Sequence, residues 1–96
     1  MLFQTEGYDI DLRFEAIEGL PVEDLIGQIL PQSEALNVTA GVTVLLCKGE
    51  QEQASAQTDE QGLFRFTGIP SGVYDLKITI AGVEINLSQV STARTV

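Results

Sequence analysis

The side chains in this 96-residue sequence with chemistry to offer are a single thiol, Cys47, and two sets of carboxylates: Asp9, Asp11 and Glu15 in one stretch, Asp59 and Glu60 in another. Histidine is absent, which removes the commonest general base and the commonest metal-binding side chain together. Cys47 follows Leu45 and Leu46, and only Lys48 is a cation close to it in sequence. A reactive thiol needs an imidazole or a cationic cluster to hold the thiolate, so Cys47 reads as a small buried hydrophobe. With one cysteine, no internal disulfide forms. The acids Asp9, Asp11 and Glu15 recur along one strand face at about 7 Å intervals, whereas calcium takes converging oxygens from a loop. The residues therefore predict no catalytic group, no metal and no cofactor. Asp9, Asp11, Glu15, Asp59 and Glu60 are the candidate interaction surface, set against the plainer reading of solvated charge.

The overall charge narrows the partners. Fourteen acidic against five basic residues give a formal charge of −9. A nucleic-acid backbone is bound by clustered Lys and Arg that displace counterions, and an anionic membrane surface by the same clusters, so neither is expected here. A protein partner or a parent protein is expected, and a homo-oligomer through an exposed edge strand is compatible with the pattern. No stretch has the charge and apolar run of a leader, and none reaches membrane-spanning length. Taken as a complete chain the sequence reads as cytoplasmic; taken as an excised domain it leaves the location open.

The elements that would position these groups are strands. With 44% hydrophobic residues in 96, the chain suffices for one domain with a two-layer core. Tyr8, Ile10, Leu12 and Phe14 alternate with Asp9, Asp11, Arg13 and Glu15, which is the period of a half-buried strand. Residues 17–23 read as a connection and 24–30 as a second strand, with Gly27 marking a bulge or a close backbone approach. A longer loop follows over 32–40. It contains Asn37-Val38-Thr39, a glycosylation tripeptide discounted in the absence of a secretory signal. Residues 41–47 form the most apolar and β-prone run. Residues 51–57 read as a polar edge strand with Ala54 and Ala56 inward, a short helix being the competing reading. Asp59 to Gly62 is turn chemistry, and 63–66 is a short strand with Phe64 and Phe66 on one face. Residues 67–72 read as a loop set by glycines and Pro70. Residues 73–80 alternate with Tyr74, Leu76, Ile78 and Ile80 inward. Ala81-Gly82 is a tight hairpin turn, and 83–87 returns with Val83, Ile85 and Leu87 inward. Seven short strands separated by turn signals predict an all-β, seven-stranded antiparallel Greek-key sandwich. Its organisation is a single domain: residues 1–23 an extra N-terminal strand and connection, 24–90 the core, 91–96 a frayed tail.

From about residue 26 to 87 the chain resembles the carboxypeptidase regulatory-like, or transthyretin-like (prealbumin-type), β-sandwich domains. The residues that carry this are Ile26-Gly27-Gln28-Ile29, Gly41-Val42-Thr43-Val44-Leu45, the Thr58-Asp59…Gly62…Phe64…Phe66 block, and Ile69-Pro70-Ser71-Gly72-Val73-Tyr74. The resemblance implies a fold and a role as an appended structural or protein-interaction module without enzymatic activity, the alternative being a small-ligand or carbohydrate-binding module. The first strand followed by Leu25-Ile26-Gly27-Gln28-Ile29-Leu30 looks like the tail modules of bacterial anti-sigma-type regulators, which implies an accessory, regulatory role in a larger bacterial system. Collagen-adhesin repeats of related fold form an internal isopeptide bond. Here the candidate carboxylate position is Ile78 and the first shared strand has no lysine, so none is expected.

Overall fold

A computed structural model describes residues 1–33 and 40–92. The Asn37-Val38-Thr39 tripeptide lies outside the described residues. Eight strands are present: β1 (Leu2–Gln4), β2 (Tyr8–Ala16), β3 (Val22–Pro31), β4 (Thr43–Lys48), β5 (Gln51–Gln57), β6 (Leu63–Pro70), β7 (Val73–Ile80) and β8 (Val83–Ser91). They form two four-stranded sheets, ordered β1-β2-β3-β6 and β5-β4-β7-β8, and every pairing is antiparallel. The count is one more than the sequence pattern predicts. The added strand is β1, whose three residues are too few to display a period. Pairing with β2 through Leu2↔Asp11, Phe3↔Ile10 and Gln4↔Asp9 holds it in place. Gln32 ties the β1–β2 turn to the end of β3, its Nε2 donating to the Thr5 carbonyl at 2.9 Å and to Asp9 Oδ1 at 2.8 Å.

Alternation fills the space between the sheets. Tyr8, Ile10 and Leu12 of β2, Leu25 and Ile29 of β3, Val44 and Leu46 of β4, Phe64, Phe66 and Ile69 of β6, and Tyr74, Leu76, Ile78 and Ile80 of β7 belong to one buried cluster. Ile85, Leu87 and Val90 of β8 complete it, with Ala54 and Ala56 of β5 packed against its edge. Cys47 is buried, as its neighbours predict. β5 is an edge strand, in agreement with its polar sequence.

Two strands run further than their alternation suggests, for the same reason. On β6 the inward set is Phe64, Phe66, then Ile69; on β8 it is Ile85, Leu87, then Val90. Each break is a β-bulge, where one strand contributes an extra residue and its side chains change phase. The pairing jumps from Leu25↔Phe66 to Glu23↔Ile69 in one case and from Leu76↔Leu87 to Tyr74↔Val90 in the other. An aspartate sits opposite each. Asp24 Oδ1 accepts the Gly68 N–H at 2.9 Å, and Asp75 Oδ1 accepts the Gln89 N–H at 3.1 Å. The residue so held is left-handed both times, with φ of 65° at Gly68 and 58° at Gln89. The expected loop over 67–72 therefore shrinks to Ser71 and Gly72. The expected tail instead contains strand residues up to Ser91 and a buried Thr92, which exchanges hydrogen bonds with Gly72; residues 93–96 lie outside the described ones.

Val83 departs from the predicted inward set: it is 60% exposed at the start of β8, beyond the reach of the core. The turn before it has φ of 49° at Ala81 and 80° at Gly82, two left-handed residues in succession, which is the type I′ geometry that follows the twist of a hairpin. Alanine is a poor occupant of that region, as is glutamine at 89. Ala81→Gly and Gln89→Gly are each expected to gain about 1 kcal/mol by relief of left-handed strain, read as a raised thermal midpoint, provided the added backbone freedom of glycine in the unfolded chain offsets only part of it.

The corner between β6 and β7 is fixed by Tyr74, whose hydroxyl donates to the Pro70 carbonyl four residues upstream at 2.6 Å. This is the device called a tyrosine corner in β-sandwiches. The Lys48 ammonium stands 5.7 Å from the centre of the ring. Burial pushes the Tyr74 hydroxyl above its ordinary value of 10.0, because the phenolate would lose its water. In the unfolded chain the group deprotonates first, so the native state holds the proton over the interval between the two values. The contribution is complete below the unfolded value and is lost as pH rises through the folded one. Stability is expected to fall in that alkaline interval, and Tyr74→Phe is expected to flatten the fall while lowering stability at neutral pH by about 1 kcal/mol. Denaturant unfolding of both proteins across that pH interval checks it.

Candidate interaction surface

The outer face of the β1-β2-β3-β6 sheet collects side chains that are far apart in sequence. Cross-strand register sets Arg13, Ile26 and Arg65 in one row, and Leu2, Asp11, Gln28 and Leu63 in the next. Glu15 pairs with Asp24 in a third. Ile26 and Leu63 are half-buried, and Leu2 is exposed. The arginines are held by acids: Arg13 lies 3.1 Å from Glu15, and Arg65 lies 3.2 Å from Asp24 and 3.9 Å from Glu15. Such exposed pairs each contribute about 0–1 kcal/mol, but they fix where the guanidinium groups point. A shallow depression of about 390 Å³ lies among Asp11, Arg13, Ile26, Gln28 and Leu63. A second, of about 420 Å³, shares Ile26 and Leu63 and reaches Gln57, Asp59 and Arg65.

The structure thus brings four of the five predicted residues to one side of the molecule. Asp9, Asp11 and Glu15 share the outer face of β2. Asp59 lines the second depression, alongside Arg65. Their availability differs. The Asp59 carboxylate is occupied in its turn, where Oδ1 accepts the N–H groups of Gln61 at 2.8 Å and Leu63 at 3.0 Å. Asp9 accepts from Gln32, and Asp11 lies 3.7 Å from the Met1 amine. Glu60 is exposed at the tip of the turn.

Sequence reasoning missed the other half of this face. Asp24, Ile26, Leu63 and Arg65 were legible only as strand residues, and what joins them to Arg13 and Glu15 is register between strands up to about forty residues apart. It also missed Glu23, assigned to a connection. Glu23 lies in β3 and is 1% exposed. Among the described residues no buried side-chain nitrogen or oxygen lacks a hydrogen-bond partner. The six aromatics are all inside or against the core: Tyr8, Phe64, Phe66 and Tyr74 are buried, and Phe3 and Phe14 pack against them. Among the described residues no three His, Cys, Asp or Glu side chains converge on a common point.

Two antiparallel sheets around one apolar core, with no helix among the described residues, define a β-sandwich domain. Residues 24–96 match the family described as BOS complex subunit NOMO1-like, second beta sandwich domain, and the chain belongs to that family. No curated protein and no solved structure matches it significantly. Membership suggests a structural or protein-interaction module.

Proposed function

We propose that this chain is a non-catalytic β-sandwich module that docks a protein partner through the outer face of the β1-β2-β3-β6 sheet. The observation that carries the reading is the row Arg13-Ile26-Arg65. A half-buried aliphatic side chain stands between two exposed guanidinium groups, with Leu63 and Leu2 in the next row and acids around them. Arginine is among the residues enriched at protein interfaces. The opposite sheet presents Thr43, Thr79, Glu84 and Asn86 around Leu45 and Lys77, a more polar face. Family membership supports the wider setting, since the family is described as that of a complex subunit. In this reading the domain serves a larger protein or assembly. The Asp59–Gly62 turn and the close approach of Phe64 to Gly27 fall on residues that carry the resemblance to transthyretin-like sandwiches, and this reading keeps that type. The ligand-binding alternative is less favoured, because no aromatic ring is left exposed to stack on a sugar.

Site-resolved photo-crosslinking in the source cell tests the reading. A crosslinker at Ile26 is expected to capture one protein partner, and the same group at Thr79 is expected to capture none. Ile26→Glu should abolish capture from a crosslinker placed at Gln28. Equal labelling from both faces would remove the basis for choosing this one.

A further inference from the structure

Among the described residues, β1 and β6 are the edges of one sheet, and β5 and β8 those of the other. Three of these edges carry devices that discourage an added strand. β1 is three residues long; β6 has Arg65, a bulge and Pro70; β8 has Glu84 and a bulge before Val90. β5 differs. From Gln53 to Gln57 it has no charge and no proline, and its shift of register lies at the far end, opposite Leu46 and Cys47. Its backbone groups point alternately to β4 and to the open side. Thr58 donates to the Val42 carbonyl at 3.0 Å and accepts from the Gly41 N–H at 2.9 Å. The register is then unbroken from Gln57↔Thr43 to Ala54↔Leu46. Ala56 therefore bonds to β4, and the N–H and C=O groups of Ser55 and Gln57 face outward. Ala54 and Ala56 only partly fill the core edge they pack against, and a depression of about 420 Å³ opens beside Ala56, Gln57, Leu63 and Phe64. Exposed acids flank this edge, Glu50 and Glu52 at one end and Asp59 and Glu60 at the other. The nearby cations are engaged elsewhere, Lys48 on the Tyr74 ring and Arg65 with Asp24 and Glu15.

We propose that the free edge of β5 receives an extended, basic segment of a protein partner as an added antiparallel strand. The open groups of Ser55 and Gln57 give four backbone hydrogen bonds, which supply affinity without regard to sequence. Selection comes from side chains. The residue opposite Ala56 turns inward over the depression, where the small alanine leaves room for a large apolar group. Basic residues beyond it meet Glu52 at one end and Glu60 at the other, each four positions from Ala56. A second copy of this chain fits less well. Paired about Ala56, it would place another alanine over the depression and bring Glu52 of each copy towards Glu60 of the other. Like charges so placed repel, and each chain already carries −9. This edge is independent of the outer-face reading, whose row Arg13-Ile26-Arg65 belongs to the other sheet.

The test uses the full chain and a synthetic peptide, Lys-Thr-Val-Thr-Leu-Thr-Val-Thr-Lys, whose lysines stand four residues either side of the leucine. Titration followed by amide NMR is expected to slow solvent exchange of the Ser55 and Gln57 N–H groups by at least about tenfold at saturation. A peptide with glutamate for both lysines is expected to bind at least about tenfold more weakly, attraction at two exposed pairs being replaced by repulsion. Methylating the two threonine nitrogens that flank the leucine removes the donors aimed at β5 and is expected to abolish binding, with the protein itself unaltered. No protection at Ser55 and Gln57 at millimolar peptide would overturn the proposal, as would equal binding of the methylated or the acidic peptide. So would a dimer of the free protein in which those two amides are already protected, since a second copy would then hold the edge. Failure of crosslinking at Ile26 would sink the outer-face reading alone, because the peptide is read at Ser55 and Gln57.

Discussion

Gly27→Ala is expected to destabilise the domain by about 1–3 kcal/mol, lowering the thermal midpoint by roughly 4–8 °C for each kcal/mol. Gly27 lies opposite Phe64 across the β3–β6 pairing, and the Phe64 ring lies in the space a Cβ at 27 would take. Phe64 is 3% exposed, set edge-on to Phe66 with the ring centres 6.1 Å apart, so the ring has no easy retreat. The added methyl must push a packed aromatic or bend a central strand. A double-mutant cycle isolates the effect. Phe64→Ala alone is expected to cost about 3–5 kcal/mol, but in that background Gly27→Ala should be nearly neutral, so the coupling equals the clash. Additive costs at the two sites would mean that the ring does not cover the glycine. Gly72→Ala serves as a contrast and corrects the sequence reading, in which Gly72 sets a turn. Gly72 has no positive φ, and a methyl added there would meet the flexible Lys48 side chain at 3.4 Å and the Tyr74 ring at 3.7 Å, both ordinary contacts, so a small effect is expected.

Phe66→Asp is expected to abolish the fold. Phe66 is 4% exposed and registered against the fully buried Leu25. Losing the aromatic costs about 3–5 kcal/mol, and a carboxylate with no partner in the core adds several more. Together these are of the same size as the roughly 5–15 kcal/mol by which domains are stable. The purified variant should lack cooperative unfolding and strand circular dichroism. Arg65, one residue earlier, points to solvent, and Arg65→Gln is expected to cost no more than about 1 kcal/mol, the value of its exposed ion pairs. A folded Phe66→Asp protein with a native melt would show that the inward face of β6 is misassigned.

Both outcomes depend on features that alternation made legible. The period of two over Tyr8–Phe14 and over Tyr74–Ile80 assigns faces without reference to the rest of the chain, because side chains on a strand have only two directions. The Asp59–Gly62 and Ala81–Gly82 turns are equally local, resting on an aspartate that accepts nearby N–H groups and on residues that take positive φ. Where a bulge shifts the phase, the same reasoning stops short: the pattern breaks after Phe66 and after Leu87 although the strands continue to Pro70 and Ser91. What carries them on is Asp24 reaching Gly68 and Asp75 reaching Gln89, contacts spanning 44 and 14 residues.

The candidate surface divides in the same way. That Asp9, Asp11 and Glu15 share a face follows from sequence alone, and so does the absence of histidine, which no folding can supply. That Arg65 and Asp24 lie beside Glu15, with Ile26 between two arginines, follows only from the register of β2 on β3 and of β3 on β6. Sequence determined which side chains point inward within the unbroken alternations of β2 and β7, where the tight turns fall and that the chain is all-β, since each of these is decided within a few residues by strand geometry and turn conformation. Tertiary structure decided the eighth strand, the burial of Glu23, the bulges and the composition of the outer face. Each of those depends on which strands become neighbours and in what register, and that is settled by packing one core rather than by any local pattern.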